Sequence, residues 1–310
     1  MKNTNINEKV NSLVSVLMPV YNAEQFVAQA IESVLNQTHQ NFELICVDDG
    51  SQDKSYSILE SYAKKDTRIK VFQNEKNTGI GYTRRKLVGL SKGTYIAILD
   101  ADDIMMPQRL EKQFTFLEKN PDVAVLGGQC VTIDAKGDVT GTKIFPESFN
   151  EIYKMMYKKM SIQQPTLMVN KSLVPEDFPW YDNSMSPVED LDNLFRLFNY
   201  GKFANLPDFV LFYRVYSASS SLKNPKRTYR LTKIVRNRAV KLYGYKPTLG
   251  ARVEVFLQDI VVAVLPAGLV FPLYSFLRGM KVNIYRSIVD GLVVKTKEKM
   301  NVRDVILLGR

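Results

Sequence analysis

The sequence predicts an α/β fold with a mostly parallel central sheet, followed by a C-terminal helical extension. Through the first hundred residues, short apolar runs typical of buried strands alternate with amphipathic stretches of helical periodicity. The connections between them are short, and such alternation produces parallel strands joined by right-handed crossovers. The 310 residues, 45% of them hydrophobic, are enough for one large domain with an appendage or for two domains.

The elements of the first part can be assigned in order. The first strand is "LVSVLMPV", and "AEQFVAQAIESVLNQ" has apolar residues at helical spacing. "FELICVDDGS" is a strand and turn, 53–65 a short helix and "IKVFQNE" a third strand. "IGYTRRKLVGLSKG" is a helix that Gly93 ends, and "TYIAILDADD" is the fourth strand.

The pattern loosens after residue 106. We predict a helix beginning near Pro107, a strand in "DVAVLGGQCVTI", a hairpin turn in "DAKGD" and a helix around 149–159. A strand in "PTLMVN", an amphipathic helix in "VEDLDNLFRLFNYG" and a strand in "FVLFYRVY" follow. The expected organisation is a domain at 1–223, with halves at about 12–105 and 106–223, and a basic helical tail at 224–310.

Charge separates the tail from the rest of the chain. Residues 1–225 contain 25 Lys and Arg against 27 Asp and Glu, whereas residues 226–310 contain 17 against 5. This asymmetry predicts an anionic partner for the tail, either a membrane surface or a nucleic acid. The two cysteines are far apart in apolar runs, which predicts buried free thiols and a reducing compartment.

The tail also contains an uncharged run, "IVVAVLPAGLVFPLYSFL", from Ile260 to Leu277. Its length is at the lower limit for crossing a bilayer, and prolines and a glycine interrupt it. With basic residues on both sides, an interfacial anchor on the anionic cytoplasmic leaflet fits best. A packed or dimer-forming helical hairpin and a true membrane span are the alternatives. The N-terminal segment lacks the apolar core of a signal peptide, so we expect a protein peripheral to the cytoplasmic face of the membrane.

Polar signatures follow three of the four predicted parallel strands: "PVYN", "DDGS" and "DADD". Ligands of open α/β sheets bind beyond the carboxyl ends of the strands, so these signatures should face one crevice. Asp100 and Asp102 can present their oxygens to one hard cation, Mg²⁺ or Mn²⁺. Alternatively, Asp102 or Asp103 caps the helix near Pro107.

The "DDGS" turn suggests a second kind of contact. The Asp49 carboxylate can accept a hydrogen bond from the ring N–H of uracil, while Tyr21 offers a stacking face. In the alternative interpretation, Asp48 or Asp49 caps the helix that begins at Asp53.

Three segments together resemble a known family. They are "VSVLMPVYNAEQFVAQAIESVLNQTHQNFELICVDDGSQDKS", "NTGIGYTRRKLVGLSKGTYIAILDADD" and "VEDLDNLFRLFNYGKFANLPDFVLFYRVYSASSS". In order and spacing, over about 13–222, they resemble family 2 inverting glycosyltransferases of the bacterial cell-surface polysaccharide type. The resemblance implies a GT-A fold, a nucleotide-diphosphate-sugar donor such as a UDP-sugar, a divalent metal, and a glycan or lipid-linked acceptor. It makes 12–105 the nucleotide-binding half and 106–223 the acceptor half.

The resemblance also implies roles for individual residues. Asp190 of "VED" would be the catalytic base, Asp102 the main metal ligand, and Asp100 a ligand nearer the ribose. The other implied donor-site residues are Pro19 and Tyr21 in the nucleotide pocket, Asp49 on the base, Arg84 near the base or diphosphate, and Ala101 within the D-x-D.

The chemistry of inversion agrees with a single base at Asp190. Displacing a nucleoside diphosphate in one step requires one base on the acceptor hydroxyl and charge neutralisation on the leaving group. Asp190 opens a helix, whose dipole favours an ionised carboxylate. Alternatively, Glu189 and Asp190 only cap that helix. For the acceptor we also consider Glu189 and Trp180, the latter as an aromatic platform or as a packed anchor of its loop.

The sequence departs from the family at two positions. Tyr216 occupies a slot where the family often has a histidine, which puts that histidine's role in doubt. Arg85 replaces an asparagine; it can approach a phosphate or lie on a solvated helix face.

Two other functions share single features with this sequence. A nucleotidyltransferase usually has a glycine-rich phosphate loop after its first strand, and "PVYNAEQF" contains no glycine. A nucleic-acid-binding protein would be compatible with the basic tail, but aromatic residues are only modestly interleaved with the cations. We therefore expect an enzyme with no nucleic-acid partner, and a homodimer through the tail is a further option.

Overall fold

The computed structural model of the chain describes residues 13–215 and 225–264. Strands and helices alternate through its first part as the sequence predicts. They are β1 (Val14–Val20), α1 (Val27–Leu35), β2 (Phe42–Asp48), α2 (Ser55–Ala63), β3 (Ile69–Gln73), α3 (Ile80–Leu90) and β4 (Tyr95–Ile98). Helix α2 begins later than the predicted 53–65, because the Asp53 side chain accepts the Ser55 backbone N–H and holds the preceding residues in a turn.

The second part contains short strands and helices in mixed order. They are β5 (Ile104–Met105), α4 (Arg109–Lys119), β6 (Val123–Ile133), β7 (Val139–Lys143), α5 (Phe149–Met156), β8 (Met168–Asn170), α6 (Glu189–Leu197), β9 (Lys202–Arg214), α7 (Pro225–Lys241) and α8 (Leu249–Val264). Each predicted helix and strand of this part has a counterpart, and β5 and β7 are additional.

The sheet is parallel in its first half and mixed beyond it. Strand β1 pairs in parallel with β2 and with β4, and β2 pairs in parallel with β3. Every residue of β1 and β2 is buried, as expected where helices cover both faces. Strand β8 is antiparallel to both β4 and β6, whereas β6 and β9 are parallel. The strand order is β3-β2-β1-β4-β8-β6-β9-β5, with β7 paired to β6.

This order places the carboxyl ends of β1, β2 and β4 side by side at one edge of the sheet.

The apolar core lies on both faces of the sheet, because successive residues of a strand point in opposite directions. Val16 and Met18 of β1 pack with Val27 and Ile31 of α1, while Leu17 belongs to the cluster on the other face. Both cysteines are buried free thiols, as predicted.

The first tail helix packs onto the domain. Leu231, Val235 and Ala239 of α7 belong to the same buried cluster as Leu194 of α6. The division of the chain at 223/224 stays a prediction. In the ranges 13–215 and 225–264, no helix is both long and apolar enough to cross a bilayer. Of the uncharged run from Ile260 to Leu277, only 260–264 falls within the described residues.

Candidate active site

The segment 100–103 after β4, called the acidic corner below, contains three carboxylates with different surroundings. Asp103 is 1% exposed, and its Oδ1 accepts the backbone N–H of Arg214 at 2.8 Å. Burial raises the pKa of Asp103 well above its ordinary value, and the charges of Asp102 and Asp100 add to this. Asp100 and Asp102 are only partly buried, while Ala101 between them is 6% exposed. The corner therefore turns Asp100 and Asp102 toward the surface and Asp103 into the core.

These aspartates do not cap the next helix. Helix α4 begins after Gln108, which makes no side-chain capping hydrogen bond. The capping interpretation of Asp102 and Asp103 is therefore wrong, because Asp103 is engaged with β9 instead.

The last residue of β9 fixes the backbone of this corner. Arg214 donates from Nε to the Asp102 carbonyl at 2.8 Å and from Nη1 to the Asp134 carbonyl at 2.9 Å. Its Nη2 reaches Gln29 Oε1 at 3.0 Å, and the guanidinium lies 4.5 Å from the ring centre of Phe26. Arg214 had no predicted role. Its only local signal is a cation at the end of an otherwise apolar strand.

Arg84 connects the acidic corner to helix α6. It is 7% exposed and donates from Nη2 to Asp100 Oδ1 at 2.8 Å and from Nη1 to Glu189 Oε1 at 2.9 Å. Burial alone would lower the pKa of Arg84, but the carboxylates of Asp100 and Glu189 outweigh it and raise the pKa above its ordinary value. Arg84 is therefore a permanent cation between two acidic groups. Its predicted contact with the base or diphosphate stays a prediction.

Asp190 lies in the first turn of α6, next to Glu189. It is partly buried, and its Oδ1 accepts the backbone N–H of Leu191 at 2.7 Å. Burial, together with the charge of Glu189, raises the pKa of Asp190 to about 7, although Arg84 acts in the opposite direction. The N-cap of α6 is Val188, which makes no side-chain capping bond, and Glu189 binds Arg84 instead. Asp190 does accept a backbone N–H of the first turn, as the capping alternative expects, so this contact does not separate the two interpretations of Asp190. A carboxylate with a pKa near neutrality is suited to accept a proton.

Asp49 holds the loop that leads into α3. It is 4% exposed, and it accepts the backbone N–H groups of Thr78 and Gly79, both at 2.9 Å, and Asn74 Nδ2 at 2.7 Å. Burial alone would raise the pKa of Asp49, but these hydrogen bonds lower it below its ordinary value. The carboxylate is therefore an ionised acceptor at the end of β2.

The capping interpretation of "DDGS" is also wrong. Helix α2 begins after Lys54, which makes no side-chain capping bond, and the backbone N–H of Ser55 is accepted by Asp53 rather than by Asp48 or Asp49. Asp48 instead accepts the backbone N–H of Ser51 at 3.1 Å.

At the end of β1, Pro19 is buried, whereas Tyr21 is 48% exposed and presents its ring to solvent.

Trp180 belongs to a packed loop beside α6. It is 8% exposed, its ring centre lies 4.8 Å from that of Phe178, and its carbonyl accepts Arg85 Nε at 3.0 Å. This packing favours the anchor interpretation, although Trp180 also lines a cleft of about 410 Å³ with Tyr243. Arg85 also donates to the Tyr181 carbonyl at 2.9 Å. Arg85 is exposed on α3, as the solvated-face alternative expects, and its guanidinium also holds this loop. Its contact with a phosphate stays a prediction. Tyr216 lies outside the described residues.

The oxygen donors of the corner suit a hard cation shared with a substrate. Mg²⁺ and Mn²⁺ commonly bind through one or two carboxylates, with water and substrate phosphates completing the coordination. Among residues 13–215 and 225–264, no three His, Cys, Asp or Glu side chains form a closed metal site. The pair Asp100 and Asp102, with water and a phosphate as further ligands, stays the predicted metal site.

The predicted nucleotide-side and catalytic residues lie along one edge of the sheet. Tyr21 and Asp49 follow the adjacent strands β1 and β2, Asp100 follows β4, and Arg84 links Asp100 to the helix of Asp190. Comparison with known proteins identifies the family of the chain. Residues 15–174 match the domain described as glycosyl transferase family 2. The chain belongs to this family.

Two relatives illustrate the match. An uncharacterized glycosyltransferase of Methanocaldococcus jannaschii is 36% identical over 245 residues, which cover 77% of this chain and 79% of the relative. A Bacillus subtilis protein, provisionally named a teichuronic acid biosynthesis glycosyltransferase, is 43% identical over 105 residues, covering 34% and 42%.

Solved structures of low identity show the same fold. Staphylococcus aureus TarS 1–349 in complex with UDP-GlcNAc superimposes with a TM-score of 0.59 at 22% identity, covering 72% of this chain and 65% of that one. A mannosyltransferase from Pyrobaculum calidifontis in complex with GDP-Man and Mn²⁺ has a TM-score of 0.54 at 13% identity, covering 91% and 88%. The family 2 protein therefore has the GT-A fold that the sequence predicted.

Proposed function

We propose that this family 2 glycosyltransferase is an inverting, divalent-metal-dependent enzyme that transfers a sugar from a UDP-sugar to a hydroxyl of a glycan or lipid-linked saccharide. The observation that carries the proposal is the bridge through Arg84. This guanidinium ties the acidic corner at Asp100 to the first turn of α6, where Asp190 has a pKa raised to about 7.

The reaction requires one proton acceptor and one departing group. An acceptor oxygen bonds to the anomeric carbon as the bond from that carbon to the diphosphate oxygen breaks, and the acceptor's proton moves to Asp190. When bound at Asp100 and Asp102, a Mn²⁺ or Mg²⁺ ion would neutralise charge on the departing nucleoside diphosphate. A single displacement of this kind inverts the anomeric configuration.

The nucleotide is proposed to lie at the ends of β1 and β2. The exposed ring of Tyr21, two residues beyond the buried Pro19, supplies a stacking surface. Asp49 is an ionised acceptor whose Oδ2 accepts the Gly79 N–H, and a second lone pair of this oxygen suits the ring N–H of uracil. The complex of TarS with UDP-GlcNAc supports a UDP-sugar donor.

The acceptor is proposed to approach the side of α6. The cleft beside Trp180 offers aromatic surface and polar groups of the kind that hold sugar rings. Glu189 is 2% exposed and bonded to Arg84, so its contribution to acceptor binding would act through Asp190. The Bacillus subtilis relative, named for teichuronic acid biosynthesis, supports a bacterial polysaccharide as product. The excess of cations in the tail supports a peripheral position on the cytoplasmic face of the membrane.

The test is incubation with a panel of UDP-sugars and other nucleotide-sugars in the presence of Mn²⁺, with release of the nucleoside diphosphate as the readout. We expect turnover with one donor, loss of turnover on chelation, and a product of inverted anomeric configuration by NMR. Asp102→Ala should abolish metal-dependent turnover, whereas Asp122→Ala, at an exposed ion pair with Lys202, should not. A product with retained configuration would overturn the proposed mechanism.

A further inference from the structure

Helix α8 carries a continuous apolar stripe on its exposed side. The stripe, called the α8 stripe below, consists of Leu249, Val253, Phe256, Leu257, Ile260, Val261 and Val264. The spacing of three and four residues places all of them on one face of the helix. Leu249 is 78% and Phe256 62% exposed, so these side chains face solvent over most of their surface.

The opposite face of α8 already packs against the protein. Ala251 and Val255 are buried there, and Asp259 accepts hydrogen bonds from Tyr229 and Lys233 of α7, both at 2.8 Å. The α8 stripe is therefore a second apolar face, in addition to the one that attaches the helix. A surface helix in water ordinarily carries polar residues on that side.

Positive charge lies beside the stripe. The contacts of Tyr229 and Lys233 with Asp259 place the N-terminal part of α7 next to the C-terminal part of α8. Lys226 and Arg230 are exposed in this part of α7, and α7 contains no acidic residue. Cations thus lie beside the C-terminal end of the stripe. Beyond that end, the sequence contains no charged residue up to Leu277.

We propose that the α8 stripe and the cations at the start of α7 form a docking surface for an anionic lipid bilayer, with α8 lying in the plane of the interface. An apolar helix face enters the boundary between headgroups and acyl chains, while adjacent Lys and Arg side chains meet anionic headgroups. The apolar stripe suits the boundary between headgroups and acyl chains, and the neighbouring cations suit the anionic headgroups. The tail's excess of positive charge opposes pairing with a second copy of itself.

This inference rests on the proposed membrane location and names the surface that produces it. It does not depend on the glycosyl-transfer chemistry. Lipid binding can therefore be measured without any donor, and donor hydrolysis in parallel reports separately on the proposed enzyme activity.

The test is flotation of the full chain with vesicles of phosphatidylcholine alone and with vesicles that also contain anionic phosphatidylglycerol. We expect binding to the anionic vesicles, and a partition coefficient lower by about tenfold or more in the double variant Phe256→Gln, Leu257→Gln. Lys226→Ala and Arg230→Ala should each lower it by about fivefold on anionic vesicles only. The matched control Phe72→Gln, Ile144→Gln removes two exposed apolar side chains from the domain and should bind as the wild type does.

A second measurement reports insertion directly. Phe256→Cys carrying an environment-sensitive fluorophore should shift its emission to the blue on anionic vesicles, whereas labelled Ile144→Cys should not. The native cysteines are buried and do not compete for the label. Unchanged vesicle binding of the double variant overturns the inference, as does an unshifted emission at position 256. A double variant that loses a dimer in light scattering while keeping its vesicle binding would assign the stripe to a second copy instead.

Discussion

Arg84 Nη1 donates to Glu189 Oε1 at 2.9 Å, and this contact joins helix α3 to the first residue of helix α6. The other terminal nitrogen of the same guanidinium reaches Asp100 Oδ1 at 2.8 Å. A guanidinium is planar and rigid, so it fixes the distance between the two carboxylates that it binds. The proposed base Asp190, adjacent to Glu189, is thereby held in a defined position relative to the acidic corner.

Replacing Arg84 with Gln should lower the free energy of unfolding by about 3–5 kcal/mol, because it leaves Glu189 as a buried carboxylate without its cation. Urea unfolding monitored by circular dichroism measures this loss. Arg68→Gln is the matched control, since Arg68 pairs with Asp66 at 2.7 Å near the surface and should contribute less than about 1 kcal/mol. Equal losses in the two variants would contradict the assignment of Arg84 as a buried bridge.

The acid limb of the pH profile should report Asp190. A general base must be ionised, so a pKa raised to about 7 predicts that kcat/KM falls as the pH drops below about 7. The charge of Glu189 raises the pKa of Asp190, whereas the charge of Arg84 lowers it. Glu189→Gln removes the first effect and leaves Arg84 less neutralised, so both consequences lower the pKa. The limb should move to lower pH.

The measurement is kcat/KM as a function of pH for the wild type and for Glu189→Gln. The exposed Glu176→Gln serves as the control and should leave the limb in place. A limb that stays in place or moves to higher pH in Glu189→Gln would refute the electrostatic coupling between Glu189 and Asp190.

The sequence predicted the parallel half of the sheet and its polar edge because both depend on local pattern. Buried strands without a polar face, such as β1, and helices with one apolar stripe, such as α1, are visible within a few residues of the chain. The acidic corner was visible for the same reason. Its alternative interpretation as a helix cap could not be excluded locally, since capping and ligand binding use the same residue types.

The remaining contacts depend on residues that are distant in the chain. Arg84 and Glu189 are 105 positions apart, and Arg214 and the Asp102 carbonyl are 112 apart. Local periodicity contains no information about such pairs. The same limit applies to Trp180, whose burial depends on packing against Phe178 and on Arg85. Hydrophobicity alone did not distinguish a packed ring from an exposed platform.

Asp190→Asn should separate donor binding from transfer. The amide keeps the shape of the side chain but cannot accept the acceptor's proton, so kcat should fall by about 10²–10⁴-fold. Donor affinity, measured by calorimetry with the UDP-sugar that supports turnover, should change little. Asp177→Asn is a control in the neighbouring loop, because Asp177 is exposed and does not line the cleft beside Trp180. Full activity in Asp190→Asn would remove this residue from the reaction.

Arg214→Lys tests whether the backbone clamp on the acidic corner supports metal binding. Lysine keeps the charge but cannot make the separate contacts with the Asp102 and Asp134 carbonyls and with Gln29. Loss of an outer support of a metal ligand typically weakens metal affinity by about 10–100-fold, so the Mn²⁺ concentration for half-maximal turnover should rise by that factor. Saturating Mn²⁺ should restore most of kcat, because Asp100, Asp102 and Asp190 are all retained. Arg68→Lys is the matched control, and its Mn²⁺ dependence should equal that of the wild type. A variant that unfolds at the same urea concentration as the wild type and has an unchanged Mn²⁺ requirement would show that Arg214 does not support the metal ligands.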